Sequence, residues 1–295
     1  IGHNVLHGQW DWMRDPAIHS TTWEWDLVCP ASRWKHAHNE VHHVHTNVLG
    51  RDRDVGYGML RVSPRQRWHP VYLAQPLYNL GLALVFEWGI AIYDCEIERA
   101  WRGERGWVET GRGLLEVARK ARRQLLKDYV VFPLLAGPAF GPVLAANLTA
   151  NVVRNVWAHT IIFCGHFPDG AEVFTEQEVA GESRGGWYLR QVLGSANIDG
   201  PALLHLLSGN LSHQIEHHLF PDLPSNRYAQ LAPRVRELCR RYGIPYTSGS
   251  LVRQSGRVWR RLLRLALPGP GGPQQAGVQA PGAGPGGGGR VSEAA

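Results

Sequence analysis

Cysteine is scarce in this chain of 295 residues, and its four copies, Cys29, Cys95, Cys164 and Cys239, stand apart with no Cys-x-x-Cys pair. That argues against a cysteine zinc site or a disulfide framework and makes a reducing compartment the expectation. A Gly-x-Gly-x-x-Gly fingerprint in a βαβ setting is missing, as is a haem-attachment motif, so electrons for any redox chemistry have to come from outside the chain. His-Glu-x-x-His is also missing, which disfavours a zinc protease. No charged segment precedes an apolar stretch at the start, so no signal peptide is expected. Internal repeats are absent. The formal charge is +6 and the pI about 9.3, but no basic patch is interleaved with stacking aromatics, so nucleic acid is not an expected partner. An anionic membrane surface fits that balance better.

What the chain does have is histidine, fifteen of them, together with twelve tryptophans and two long uncharged runs. Residues 71–86, VYLAQPLYNLGLALVF, carry no charge, and after Glu87 the run resumes to Tyr93. That is long enough to span a bilayer with one interruption, Glu87 facing protein or water. Residues 129–153 form a second run of 25, and its three prolines are tolerable in a membrane helix. A third apolar piece covers 155–167. The mean hydropathy of −0.25 favours buried helices of a soluble protein, but two runs of this length outweigh it, and a membrane protein is expected. Between the runs, residues 95–127 hold nine Lys/Arg and five Glu. Further on, 227–242 reads as an amphipathic helix with Leu231, Val235 and Leu238 on one face. Residues 251–267 read as a short basic helix, suited to a membrane surface or simply solvated. From 268 to 290, fifteen of 23 residues are Gly or Pro, so 268–295 is expected to be a disordered tail.

The histidines cluster in three boxes. HNVLH holds His3 and His7, HNEVHH holds His38, His42 and His43, and HQIEHH holds His213, His217 and His218. On an α-helix His38 and His42 share a face, with His43 about 100° further round. One such box could be structural; three of them flanking apolar runs point to metal. Eight imidazoles exceed what one tetrahedral zinc can use, so two metals are the economical reading. All-nitrogen ligation leaves zinc, copper, iron and nickel open. A soluble di-iron bundle would need paired Glu-x-x-His motifs, and Glu40-x-x-His43 has no partner.

The order HNVLH, HNEVHH, HQIEHHLFP, with two apolar segments before the third box, resembles the integral-membrane fatty acid desaturases over roughly residues 1–245. HNVLHGQWDW, NLSHQIEHHLFPDLPSNRY and FCGHFPDG are the most specific stretches, and they look most like the bacterial acyl-CoA desaturase branch that includes stearoyl-CoA desaturases. The resemblance implies an all-α, membrane-embedded helical fold with the boxes on the cytoplasmic side of the cytoplasmic membrane and a kinked acyl tunnel. It implies two iron ions, O2 as oxidant, and a separate electron donor of the ferredoxin or flavodoxin-reductase type. The substrate class it implies is a fatty acyl chain, CoA- or lipid-linked, with stearoyl Δ9 as one assignment. Hydroxylation of an acyl chain, alkane or other lipid at the same site is the alternative, and an inactive remnant a third.

Carried over by position, the implied metal ligands are His3, His7, His38, His42, His43, His166 in GHF, His217 and His218. The ninth is His213 or Gln214. Gln214 takes the first place of the family's H-x-x-H-H, and His213 is preferred because imidazole binds iron better than an amide. His19, His36, His45, His69, His159 and His205 are expected to be hydrogen-bonding or surface residues. Asp52 and Asp54 are expected in a loop turn, with orientation of ligands as their other reading, and Glu40 and Glu216 are candidate orienting groups. Trp10, Trp12, Trp23 and Trp25 would line a channel or sit at a membrane interface. The domain reading is 1–250 desaturase domain, 251–267 basic helix, 268–295 tail.

Two departures from the family are expected to matter. Its first membrane hairpin is nearly all missing, so His3 and His7 should fray and the chain alone should be inactive. The boxes must also share one face, which would put 95–127 on the far side despite its net positive charge.

Overall fold

The computed structural model describes residues 1–269 and is mostly helical. Helix α1 (Gly2–Leu6) opens it. Helix α2 (Ala31–Lys35) continues through a π-helical stretch, His36–His42, into the short α-helical His43–His45. Two short helices follow, α3 (Gln75–Leu84) and α4 (Phe86–Tyr93), then α5 (Ile97–Trp101). A long hairpin comes next. Its first arm is α6 (Trp107–Leu126), carried on by Lys127–Val131 and Phe132–Leu135, and its second is α7 (Phe140–His166). Beyond it lie α8 (Arg184–Leu193), α9 (Ala202–Leu207), α10 (Gln214–Leu219), α11 (Tyr228–Tyr242) and α12 (Leu251–Ala266). Strands β1 (Asn197–Asp199) and β2 (Ser248–Ser250) pair in parallel, Asn197 opposite Ser248.

The hairpin revises the expected topology. Residues 95–127 are not a loop between two spans. Most of them form the rising arm α6, and the uncharged run 129–153 is the bent tip, turned at Gly137–Ala139. Prolines explain the bend: Pro133, Pro138 and Pro142 lie in or beside the turn, where each removes a backbone donor. The chain that leaves the second box through α6 comes back to it at His166, the end of α7. Across the arms, Asn147 donates to the Asp128 carbonyl at 2.6 Å and Asn151 to the Tyr129 hydroxyl at 2.8 Å. Val131, Phe132, Leu134, Leu135 and Phe140 near the tip are exposed. Among the described residues no helix is long and apolar enough to cross a membrane.

The first apolar run is likewise not one span. It breaks at Val85 (φ −119°, ψ 29°) into α3 and α4. Polar groups inside the run make tertiary bonds: Gln75 is fully buried against Leu262 O and the Arg61 backbone, and Asn79 meets His159 Nε2 at 3.0 Å. Helix α12 reads from the sequence as a surface helix, but it lays Val258 and Leu262 into the main core beside Leu82, Phe86 and Phe163 and buries Leu265 as well. Buried Arg261 ties it to Pro168 O and Ala171 O, each at 2.9 Å. Helix α11 buries Tyr228, Val235 and Cys239, while Leu238 of the expected face is exposed. The expected tail beyond residue 269 lies outside the described residues.

Asn47 joins these parts. It adopts a left-handed backbone (φ 58°) just after the second box. Its amide donates to Gly194 O at 2.8 Å, Glu172 O at 2.9 Å and His166 O at 3.4 Å. Asn47→Ala strands those buried carbonyls and keeps the unfavourable backbone. The expected loss is about 2 kcal/mol, seen as a fall of about 4–8 °C in the thermal unfolding midpoint; an unchanged midpoint would refute this role.

Candidate metal centre

Four elements deliver the box histidines to one place. Helix α1 brings His3 and His7, the π-helical stretch and its continuation bring His38, His42 and His43, α10 brings His217 and His218, and the last residue of α7 is His166. The π-helical turn matters for the second box. In a regular α-helix His43 would point well away from His38; widening to an i→i+5 pattern brings it back, and their rings lie 4.9 Å apart.

Two groups result. His3, His7, His38 and His217 form one and His42, His166 and His218 the other, with ligand atoms in each within 4.8 Å of one another. His43 lies between them, its ring 4.7 Å from those of His7 and His217 and 4.3 Å from that of His218. His38, His42 and Asp54 make a third, overlapping group. His3 Nε2 and His38 Nε2 face each other at 3.2 Å, a geometry suited to a shared cation.

The first box is tied to the rest of the fold. Asn4 donates to Gly209 O at 3.1 Å and Ser225 Oγ at 2.9 Å, Gln9 donates to Pro221 O and the Tyr228 hydroxyl, and Val5 and Leu6 are buried. These tertiary bonds supply the support that the sequence offered no sign of.

The residues fit metal. Buried nitrogens without a hydrogen-bond partner include His7 Nε2, His42 Nε2, both of His43, His166 Nδ1, His217 Nε2 and His218 Nε2. Each such group costs about 1–3 kcal/mol if left unsatisfied, and coordination would satisfy one nitrogen of each ring. Burial, then the neighbouring imidazoles, holds His7, His38, His43, His217 and His218 well below the usual histidine range, so they are neutral and able to ligate at pH 7. Burial likewise lowers His3 to about 3. His42 is the exception: burial opposes its charge, but Asp52 and then Asp54 outweigh it and raise its pKa.

The opposite ring nitrogens are held. His42 Nδ1 donates to Asp52 Oδ2 at 3.0 Å, His218 Nδ1 to Gln191 Oε1 at 3.1 Å, and His217 Nδ1 lies 3.2 Å from the Tyr228 hydroxyl. Asp52 also accepts from Asn47 N and Asp54 N, so it is both loop turn and orienting group. Gln191 and Tyr228 carried no sequence signal of this role, since neither lies in a box. Glu40 does not orient a box histidine; it is exposed and paired with His36. Glu216 is buried but bonds Asn197 and Tyr246, fixing α10 to β1.

His213 stands apart. It belongs to neither group, and its ring stacks on His205 at 4.6 Å. It is the residue just before α10. Gln214 points inward instead, its amide 3.0 Å from His166 Nε2. Gly165 makes room for it, since a Cβ there would lie 2.9 Å from Gln214 Cγ. His45 is outside both groups, and Asn210 takes a left-handed turn bonded to Ser225. Of the tryptophans, Trp25 is buried at the cavity described next and Trp12 is exposed.

A cavity of about 310 Å³ opens against His3, His38, His42 and His166. Apolar side chains, Phe86, Ile90, Trp157, Ile161 and Ile162 among them, form much of its wall. Asp52→Asn removes the charge holding His42 and is expected to weaken metal binding by about 10–100-fold. Competition with a chelator measures this; unaltered affinity would mean that Asp52 serves the loop alone.

The family model described as Fatty acid desaturase matches residues 1–250. The NADPH-dependent stearoyl-CoA 9-desaturase of Mycobacterium tuberculosis is 53% identical over 91% of this chain. The chain spans 64% of that relative's length. The sn-1 linoleoyl-lipid 6-desaturase of Synechocystis sp. is 27% identical, covering 83% of this chain and 70% of its own. The acyl-lipid (7-3)-desaturase of Rebecca salina is 30% identical, covering 72% and 48%. No solved structure matches. With the family model covering the three boxes and everything between them, the chain belongs to the fatty acid desaturase family.

Proposed function

We propose that this chain carries out O2-dependent desaturation of a fatty acyl chain at a di-iron centre, with electrons from a separate redox partner. The observation that carries the reading is seven imidazoles gathered in two groups with His43 between them, four of which, His3, His38, His42 and His166, line a largely apolar cavity. His3, His7, His38 and His217 would hold one iron, His42, His166 and His218 the other, and His43 is positioned for either. When bound, the irons supply the oxidising power needed to take hydrogen from unactivated methylenes, which no side-chain acid or base can do.

The chain's own residues do the rest. Neutral imidazoles leave the bound cations their full positive charge. Asp52, Gln191 and Tyr228 fix ring orientation. Gln214 holds His166 rather than replacing it, and His213 is not a ligand. The apolar wall excludes water and lays an alkyl chain past His3, His38, His42 and His166. The name of the mycobacterial relative makes stearoyl-CoA the first substrate to test and an NADPH-linked reductase the first donor. The exposed apolar tip of the α6–α7 hairpin supports embedding in the cytoplasmic membrane, with the boxes on the cytoplasmic side.

Three measurements test this. Protein purified anaerobically should hold two irons; stoichiometric zinc under iron-replete conditions would refute the metal. Mass spectrometry of products formed with a reductase supplied should show loss of two hydrogens, whereas gain of one oxygen would make the enzyme a hydroxylase. His213→Ala should keep both irons, and Gln214→Ala should weaken one by about 10–100-fold. The reverse pattern would put His213 back in the ligand set.

A further inference from the structure

The cavity does not end as it begins. It follows α7 from His166 past Ile162, Ile161 and Ala158 to Asn155 and Arg154. His166 and Arg154 are twelve residues apart on one helix, which at 1.5 Å per residue is ~18 Å. At the far end the lining changes from apolar to charged. Glu87 of α4, its side chain 5% exposed, is ion-paired with Arg154, whose side chain is 37% exposed. The same carboxylate accepts from Val28 N at 2.8 Å and from Gln124 Nε2 of α6 at 3.4 Å. Asn155 closes the ring, accepting from Glu87 N at 3.2 Å and donating to Leu84 O at 3.0 Å. Arg154 Nε is buried with no partner. Elements from four parts of the chain thus meet on one carboxylate.

Such a cluster is more than a helix tie. A methylene chain gains by leaving water for the wall of Ile161, Ile162 and Trp157. It gains nothing by pressing against an ion pair whose carboxylate is desolvated, and parting that pair would leave the buried Glu87 charge without its partner. We infer that the Glu87–Arg154 pair, facing the histidine centre along α7, is the stop for the methyl end of the acyl chain and sets the longest chain the cavity takes. The inference rests on the acyl reading above and names specificity-determining residues for it. The histidines fix where the chain reacts, and the pair fixes how much chain lies beyond that point.

The test uses the full chain with a series of saturated acyl-CoAs, read two ways: ligand-induced thermal stabilisation, which needs no turnover, and kcat and KM for product formation. The native protein should show a length optimum, with affinity falling roughly tenfold for chains two carbons longer. Glu87→Ala/Arg154→Ala should move that optimum to longer chains through KM, leaving the double bond at the same distance from the thioester. Ala158→Phe, which narrows the channel one turn closer to His166, should move it to shorter chains and keeps the test open if the double variant does not fold. An optimum that stays put in a folded variant of either kind overturns the inference. If stabilisation shifts as expected while no form dehydrogenates a substrate, the chain stop stands and the proposed chemistry fails.

Discussion

Eight imidazoles packed against one another, six of them buried and with at least one ring nitrogen that no protein group meets, are what the rest of this fold must hold in place. Left as they are, those nitrogens would cost on the order of 10 kcal/mol, at 1–3 kcal/mol each. That is comparable with the whole stability of a typical domain. Bound cations would turn the same crowding into a benefit, because every ring but that of His42 is held toward its neutral form. The support is therefore concentrated on the other ring nitrogen: Asp52 for His42, Gln191 for His218, Tyr228 for His217. Asn47, Asn4, Gln9 and Asn197 then fasten the backbones that carry the boxes.

The same constraint explains the position of the hairpin. His166 has to reach the centre from the end of a long helix, and α7 needs an antiparallel neighbour to fix its direction. Arm α6 provides it, with Asn147 and Asn151 bonding across near the tip. The cavity then runs along α7 between the histidine cluster and the Glu87–Arg154 pair. Site and channel share one helix, so the distance between them is set by helical rise rather than by a flexible loop.

Much of the site was legible from residue spacing. The boxes at His3/His7, His38/His42/His43 and His217/His218, and His166 beyond the last apolar piece, were picked out by type and interval, and the structure brings these eight together. Helices Tyr228–Tyr242 and Leu251–Ala266 followed from period and composition. The choice between His213 and Gln214 did not. Adjacent residues at the start of a helix point in different directions, and spacing alone does not say which one faces inward. Coordination chemistry favoured imidazole; the backbone of α10 turned the amide toward His166 instead.

The sequence by itself determined which side chains are available to ligate and that the histidines outnumber the ligands of one tetrahedral cation, because these follow from residue type and number. Only the tertiary structure decided which nitrogens converge, which carboxylates orient them, and that the uncharged run 129–153 folds back at Gly137–Ala139. Orientation depends on contacts between residues far apart in the chain, such as Asn4 with Ser225 and Glu87 with Arg154. No local pattern encodes those contacts, because they exist only once the helices have packed.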